Sequence, residues 1–394
     1  MFKNAVSLFQ FSGFNIRIDP SWLLIAALII WSLSSWYFPI QIPGQTLFTY
    51  VVLSVVAMLG LYASLLLHEL SHSFMARKFG LNVHNITLFI FGGVAELESE
   101  PKSPKAEFWI AIVGPFTSLM LAAAFSLPNL VFGQSDSATP FLVITNYLVL
   151  INFVIAVFNM LPAFPLDGGR VFRALLWHIK KDLLSATKLA SAVGNAFGFL
   201  LIVAGVLSIF STSSLGGLWQ ILIGFFIVQA SRSSYEQLQV EATLKGLTAG
   251  SLMSRDVVTA QISDTIRTLV DDVILHKNIT FVPVLEGEEL IGYVTAGLVQ
   301  KIDQEHWDAT RLSDIYVAAD ALNTIPPDTA APQLLKDMVK NNQRKYLVAD
   351  GDSLLGVISL TDLMAYLAVR KTLNLEAPAS KKSEPRKATK EVFS

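Results

Sequence analysis

The sequence lacks cysteine altogether and holds little charge. Without cysteine, thiol catalysis, disulfide scaffolds and cysteine-ligated metal sites are excluded. Charged residues make up 15% of the 394 residues, against roughly 25% in ordinary soluble domains, and hydrophobic residues make up 53%. The net charge of −2 gives no sign of nucleic-acid binding, and the hydrophobicity excludes a disordered chain.

The few charges are unevenly distributed along the chain. The first 240 residues hold 22 charged residues, and the remainder holds 38. This distribution predicts a membrane domain followed by a water-soluble domain. We expect no cleavable signal peptide, because Asp19 and Pro20 precede a long apolar stretch without a small-residue cleavage site.

Six apolar segments predict transmembrane helices, since a spanning helix needs roughly 20 mostly apolar residues. The last segment is shorter than the others. Lysine and arginine are concentrated in alternate loops, and the positive-inside rule then predicts that both termini are cytoplasmic. A bacterial plasma membrane is the expected host, with an organelle of bacterial descent left open. The segments are Trp22–Phe38, Tyr50–Leu67, Phe108–Leu127, Phe141–Leu161, Leu189–Phe210 and Leu215–Ala230.

One further apolar segment, Ile86–Glu96, is too short to span a membrane and contains paired glycines. These features favour a re-entrant hairpin, which a membrane tolerates only where it is buried in protein or lines a wet cavity. The alternative is a surface loop that lies on the bilayer.

The second apolar segment runs into the motif His-Glu-Leu-Ser-His at residues 68–72. Residues four apart lie on the same helix face, so His68 and His72 can bind one metal ion, for which zinc is expected. Glu69 is placed to take a proton from a water that the metal activates. Charge within a span is costly and indicates function. The alternative is that three polar side chains reach from a helix end to the membrane interface.

A catalytic zinc usually has a third protein ligand. Asp167 is the best candidate, because two prolines break the chain before it and Gly168 and Gly169 follow it, which favours an acid held inward. The alternative for Asp-Gly-Gly is a simple turn. Other acids lie in a loop on the opposite side or in a polar stretch expected to be solvated: Asp136, and Glu96, Glu98 and Glu100.

Together these motifs resemble the site-2 proteases, the intramembrane zinc metalloproteases. The resemblance covers about residues 10–235 and includes His68–His72, the element Asn159…Pro162…Asp167-Gly168-Gly169 and Gly114-Pro115. The family carries a membrane-associated β-hairpin where this chain has Ile86–Glu96. Family members often have asparagine shortly after Gly-Pro. This chain has Thr117 and Ser118 there, so no role is carried onto them.

The resemblance implies that His68, His72 and Asp167 bind one zinc ion per chain and that Glu69 is the general base. It implies that Asn159 positions the substrate or stabilises the oxyanion, as a neutral amide donor can. The alternative for Asn159 is a hydrogen bond that joins two helices. The substrate in this family is a transmembrane helix of another protein, which must unwind before water can attack it. An extended substrate segment is expected to pair with the strand in Ile86–Glu96.

Residues 247–371 contain one folding unit twice. Each copy has a helix, then two strand-like runs joined by a turn, and a closing helix Leu360–Lys371 follows the second copy. Ser263 is the expected N-cap of the first helix. The predicted elements are Ser263–Lys277, Phe281–Leu285 and Leu290–Thr295, then Thr329–Asn341, Tyr346–Ala349 and Leu354–Ser359.

This pair resembles tandem CBS domains, modules that often bind adenine nucleotides, in its Phe-Val-Pro-Val run at residues 281–284 and its closing Gly-x-x-Ser/Thr patterns. The resemblance implies that Ser359 and Asp362 contact ATP or another adenine nucleotide. The first copy keeps Thr295 but has Leu298 in place of the aspartate, so one site is expected rather than two. The alternative is that Ser359 and Asp362 only cap the closing helix. The resemblance also implies a homodimer formed through these domains.

The predicted architecture is a polytopic α-helical membrane protein with about six transmembrane helices and a membrane-associated β-hairpin, followed by an α/β tandem CBS domain. The predicted parts are a protease domain (1–235), a linker (236–246), the CBS pair (247–371) and a disordered tail (372–394). The alternative functions are a CBS-regulated transporter or channel and a proteolytically inactive relative. A transporter does not need His-Glu-x-x-His, and no hydropathy repeat relates the first three spans to the last three.

Overall fold

The computed structural model describes residues 5–90, 92–97, 99–132, 139–212 and 216–373. Two compact units divide the chain at Met1–Glu236 and Gln237–Ser394. Nearly all of the predicted tail, from residue 374 onward, lies outside the described residues. Residues 236–246, predicted as a linker, are helical as far as Leu244 and then form a turn.

Long helices make up most of the first unit. A π-helical turn, Leu33–Tyr37, joins the first two into one continuous rod, and the last helix continues into the second unit. The helices are α1 (Ser21–Ser32), α2 (Phe38–Gln41), α3 (Leu47–Lys78), α4 (Pro104–Phe132), α5 (Pro140–Asn159), α6 (Asp167–Lys180), α7 (Leu183–Thr212) and α8 (Gly216–Leu244).

Within the described ranges, five helical stretches are long and apolar enough to cross a membrane. From Gly216 onward the sixth predicted segment lies in α8, and Gln220 and Gln229 interrupt its apolar run. Five of the six predicted spans are thus confirmed as long apolar helices, and the sixth, whose first residue lies outside the described ranges, stays a prediction. The five stretches are Ser21–Gln41, Leu47–Lys78, Pro104–Phe132, Pro140–Asn159 and Leu183–Ser211.

A four-stranded sheet accompanies these helices, in the order β1 (Val6–Phe11), β2 (Phe14–Ile18), β3 (Val83–Phe89) and β4 (Gly92–Leu97). Strands β2 and β3 are parallel, while β3 and β4 pair antiparallel with Leu88 opposite Gly93. The hairpin predicted within Ile86–Glu96 is thus confirmed as two paired strands, although Phe91 at its tip lies outside the described residues. Strand β4 is the edge of this sheet.

The sheet packs against the charged end of α3 and the beginning of α4. Apolar residues of β2, β3, α3 and α4 form one buried cluster, to which Phe14, Ile86, Leu70 and Ile110 contribute. Because this cluster joins the hairpin to the helix that carries residues 68–72, it fixes β4 beside the motif.

The second unit is an α/β domain built on one seven-stranded sheet. Its strand order is β5-β6-β7-β11-β10-β9, with β8 paired to β7. The elements are α9 (Ala249–Leu252), β5 (Ala260–Gln261), α10 (Ile266–Thr268), β6 (Phe281–Glu286), β7 (Glu289–Thr295), α11 (Ala296–Val299), β8 (Val317–Ala318), β9 (Thr324–Ile325), α12 (Ala331–Lys340), β10 (Lys345–Asp350), β11 (Ser353–Ser359) and α13 (Leu360–Thr372).

The two copies predicted in this unit are present, and their four strands are confirmed to within one residue at each end. The helix predicted at Ser263–Lys277 begins later than predicted, at Ile266 of α10. Thr265, not Ser263, is its N-cap, because the Thr265 hydroxyl accepts a hydrogen bond from the backbone N–H of Thr268 at 3.3 Å. After one helical turn it continues as a π-helix, Leu269–Leu275.

Candidate metal centre

Helix α3 presents the motif at residues 68–72. The helix begins at an N-cap, Thr46, and continues past the predicted end of the span, so His68 and His72 lie one turn apart within regular helix. Both histidines are buried, with 2% and 7% of their surface exposed. Burial of two imidazoles among apolar helices needs compensation, which neighbouring groups supply.

Asp167 reaches the same place from the first turn of α6. The helix begins immediately after the Pro-containing loop that follows α5, and its two glycines pack directly on that loop. A Cβ at Gly168 would collide with the carbonyl oxygen of Met160, and one at Gly169 with the backbone of Phe164. Asp-Gly-Gly is therefore the tightly packed start of a helix, not the simple turn considered as the alternative.

The three predicted ligand atoms form a nearly equilateral triangle. The Nε2 atoms of His68 and His72 are 3.1 Å apart, and each lies 3.2 Å from Oδ2 of Asp167. Zinc–ligand distances of about 2.0–2.2 Å put the ligands of a tetrahedral site roughly 3.3 Å apart. Among the described residues this is the group of side chains able to hold a metal ion, and its donor set and spacing fit zinc with one position left open.

The outer ring nitrogens are oriented by α4. Nδ1 of His68 lies 2.8 Å from the Ser118 hydroxyl, and Nδ1 of His72 donates to the carbonyl oxygen of Ile110 at 2.5 Å. Because that Nδ1 carries the proton, a neutral His72 turns the lone pair of Nε2 toward the oxygen of Asp167. Two lone pairs facing each other require a cation between them, which a metal ion supplies.

Asp167 is suited to bind a cation. When His72 is protonated instead, its positive charge and hydrogen bonds from both histidines outweigh the effect of burial and hold the pKa of Asp167 below its usual range. The carboxyl group is then ionised at neutral pH, which is the form that binds metal.

A cavity of about 300 Å³ opens beside the three ligands. Glu69, Asn159 and Arg170 line it together with the hairpin residues Gly92 to Ala95. The side chain of Arg170 makes no hydrogen bond or ion pair with the described part of the chain. The cavity thus brings the predicted base and the predicted amide donor to the three ligands.

Two glycines allow the backbone to approach this site closely. A Cβ at Gly114 of α4 would collide with Nε2 of His72 and lie 2.7 Å from Nε2 of His68. A Cβ at Gly93 of β4 would lie 2.5 Å from Cγ of Glu69. Helix α4 and strand β4 can therefore touch the site only because these positions carry no side chain.

The sequence did not predict roles for Ser118 and Ile110. Ser118 is fully buried and follows Gly114 by four residues, so both lie on the helix face that meets the histidines. That spacing was a usable signal for Ser118. A backbone carbonyl such as that of Ile110 has no sequence signal.

A hydrogen bond that joins two helices, the alternative considered for Asn159, is made by a different asparagine, Asn152. Asn152 donates to the Ser64 hydroxyl at 3.0 Å and so joins α5 to α3. Asn159 lies at the end of α5, lines the cavity, and has no side-chain hydrogen bond to the described residues.

The acids considered less suitable as ligands do not join the site where they are described. Glu100 forms an ion pair with Arg173 at 2.8 Å, so it is not simply solvated as expected. Asp136 and Glu98 lie outside the described residues.

In the second unit, Ser359 and Asp362 form a capping box at the start of α13. The Ser359 hydroxyl lies 2.7 Å from Oδ2 of Asp362 and accepts from the Asp362 N–H at 3.2 Å. Thr295 is the N-cap residue of α11, without a side-chain cap bond. Strands β7 and β11 run antiparallel from the pair Glu289–Ser353, so Thr295 and Ser359 end them on opposite sides and do not form one site.

Comparison with known proteins gives consistent matches. The model of peptidase family M50 matches residues 56–134 and 126–205, and the CBS domain model matches 249–299 and 312–369. A Mycobacterium tuberculosis protein named zinc metalloprotease Rip3 is 30% identical over 371 residues, covering 93% of this chain and 94% of the relative. Zinc metalloprotease MJ0392 of Methanocaldococcus jannaschii is 27% identical, covering 93% and 96%. A solved site-2 protease from the same archaeon has a TM-score of 0.42 at 27% identity, covering 59% of this chain and 95% of that one.

Proposed function

The chain belongs to peptidase family M50, the site-2 proteases, and is an intramembrane zinc metalloprotease with C-terminal CBS domains; from that premise we propose that it cleaves a transmembrane helix of another membrane protein. The scissile bond lies within or near that helix. The observation that carries the proposal is the cavity that places Glu69 and Asn159 beside His68, His72 and Asp167. The membership of this family weighs against the transporter or channel alternative.

The residues of the cavity divide the chemistry among them. His68, His72 and Asp167 would hold zinc, which when bound would polarise the scissile carbonyl and lower the pKa of water to about 7. Glu69 takes the proton of the attacking water and passes it to the nitrogen of the leaving peptide. Asn159 donates its amide N–H to the oxygen on which negative charge develops.

An apolar cavity of about 570 Å³ adjoins the site and suits a membrane-embedded substrate. Side chains of α1, α3, α5 and α8 line it, and both cavities are lined by Leu65, Gly92, Asn159, Leu166 and Phe226. A substrate segment that enters between these helices meets apolar walls first and polar groups only at the metal end.

The edge of β4 offers the substrate a backbone partner. In the described sheet β4 pairs only with β3, and Gly93, Val94 and Ala95 line the metal cavity. An unwound substrate segment that pairs with this edge recovers the hydrogen bonds it loses from its own helix, and its carbonyl groups then lie beside Glu69.

The metal content of the purified full-length chain tests the site. We expect about one zinc ion per chain in the wild type and much less in Asp167→Ala, because that change removes one of three ligands. Mass spectrometry of the native protein measures both. A folded wild type without zinc would contradict the proposal.

Glu69→Gln tests the assigned base and separates it from the ligands. The variant is expected to keep its zinc and to cleave a transmembrane substrate about 1,000-fold more slowly, the range found for general bases. Equal turnover by wild type and variant would remove Glu69 from the mechanism. No turnover by either, with zinc bound, would favour the inactive relative.

A nucleotide site at Ser359 and Asp362, and a homodimer through the CBS domains, complete the proposal. Both rest on the CBS match. In the capping box Asp362 lies at the N-terminus of α13, where backbone N–H groups also attract phosphate. Titration of the full-length chain with ATP, ADP and AMP tests binding, with Asp362→Ala as the comparison. Binding of none of the three would end the idea of nucleotide regulation, and a monomer in solution would end that of a dimer.

In the proposed topology the chain spans a bacterial plasma membrane and both termini lie on its cytoplasmic side. The support is the position of basic residues between the predicted spans, such as Lys180 and Lys181 at the end of α6. Because the chain has no cysteine, Gln45→Cys and Lys181→Cys each introduce a single label site. An impermeant thiol reagent should label residue 45 in intact cells and residue 181 only after lysis. The reverse pattern would invert the topology.

A further inference from the structure

Arg173 is a buried cation of the first unit, with 2% of its surface exposed. Its Nε donates to Oε1 of Glu107 at 2.5 Å, and its Nη2 donates to Oε2 of Glu100 at 2.8 Å. Its Nη1 lies 3.5 Å from the Thr187 hydroxyl, and the guanidinium lies over the Phe164 ring at 4.9 Å. One side chain thus binds four other segments of the chain.

This network is not explained by stability alone. Glu107 is fully buried, and its Oε2 has no hydrogen-bond partner among the described residues. Burial of two charges costs about as much as their attraction returns, and replacing such a pair by well-packed apolar residues is often neutral or stabilising. The charged groups instead fix the relative positions of the segments they join, because a planar guanidinium donates hydrogen bonds only along the directions of its N–H groups.

The segments that Arg173 joins are those that build the metal centre. Glu107 lies one turn before Ile110, whose carbonyl orients His72, and α4 continues from there to Gly114. Phe164 and Arg173 lie on either side of Asp167 along the chain, on its loop and on its helix. Glu100 belongs to the segment that returns from β4. The network therefore links the ligand on α6 to the helix that orients the histidines.

We propose that Arg173 is a positioning residue that holds Asp167 at the correct distance from His68 and His72. It acts through its bonds to Glu107 and Glu100 and contacts neither the metal ion nor the substrate. The inference rests on the proposed metal site and adds to it a device that sets the affinity of that site.

The test is the zinc affinity of the full-length detergent-solubilised protein, measured by competition with a chelator. The double variant Glu107→Leu/Arg173→Met removes both charges and leaves no buried ion unpaired. We expect it to keep its helical content and thermal midpoint, while its zinc dissociation constant rises about 10–100-fold, as for loss of groups that orient metal ligands. Arg173→Lys keeps the charge but not the planar fork, and we expect an intermediate loss.

Arg77→Met is the matched control, because Arg77 also lies over a phenylalanine ring, that of Phe14, and bonds backbone carbonyls of another segment. It is exposed and touches none of the groups around Asp167, so its zinc affinity should equal that of wild type. The role of Arg173 would be overturned if either the double variant or Arg173→Lys folded and bound zinc with wild-type affinity. Failure of wild type itself to bind zinc would instead overturn the metal site.

Discussion

Polar side chains are organised in opposite ways in the metal centre and in the capping box at the start of α13. In the metal centre, His68 bonds Ser118, 50 residues away, and Asp167, 99 residues away. In the second unit, Ser359 bonds Asp362, 3 residues away. A local pair of this kind can form wherever a helix starts. Partners far apart in the sequence can meet only if several elements are held at fixed positions. Sequence separation between partners thus distinguishes the metal centre, which several elements must assemble, from a pair that the start of one helix positions.

Gly114→Ala should affect the metal centre most strongly. The new Cβ would occupy the space of the ligand nitrogens of His72 and His68, and both histidines are held in place from behind by α4. We expect loss of bound zinc and of detectable cleavage, measured by mass spectrometry and by a substrate assay.

The matched control is Gly297→Ala in α11 of the second unit, where the nearest atom to a new Cβ is Oγ1 of Thr295 at 3.9 Å. Zinc and cleavage should stay at wild-type levels, and the free energy of unfolding should change by no more than about 1 kcal/mol. If Gly114→Ala retained its zinc as this control does, the close approach of α4 would have no part in the site.

Ser118→Ala should have an intermediate effect on the metal centre. It removes the hydroxyl that orients His68, so the zinc dissociation constant should rise about 10–100-fold, as for other groups that orient a ligand. Thr117→Ala is the neighbouring control, because the Thr117 hydroxyl bonds the carbonyl of Val113 in its own helix. Chelator competition on both variants gives the comparison, and equal affinities would deny Ser118 its role.

Ser359→Ala should have the smallest effect and one confined to the second unit. Loss of an N-cap costs about 1 kcal/mol of stability, seen as a lower unfolding midpoint of that unit. Without nucleotide, zinc content and cleavage should not change. A loss of zinc in this variant would contradict the view that the Ser359–Asp362 pair acts only within the second unit.

The fold was predictable where a repeated spacing determines it. The His68–His72 spacing predicts two ligands on one helix face, and the alternating runs of the second unit predict strands within one residue of their observed ends. In both cases the information lies within a few neighbouring residues.

Other features depend on contacts that no local pattern carries. The sixth predicted span is helical in α8, but glutamines interrupt its apolar run, and five described helices meet the length and composition of a span. Thr265 caps helix α10 instead of the predicted Ser263, because the Thr265 hydroxyl accepts a hydrogen bond from the Thr268 N–H. Ser118, Gly114 and Arg173 gain their importance from what α4 and α6 meet in space, which only the assembled structure reveals.

The contact between Gly93 and Glu69 also limits how this protein can change during evolution. A methyl group at residue 93 would first meet the methylene groups of Glu69, 24 residues earlier in the chain, before it disturbed the strand itself. The cost of alanine at residue 93 would therefore fall first on the position of the Glu69 carboxylate and so on proton transfer. Residues 69 and 93 form a pair in which the larger one can be retained only while the smaller one stays glycine.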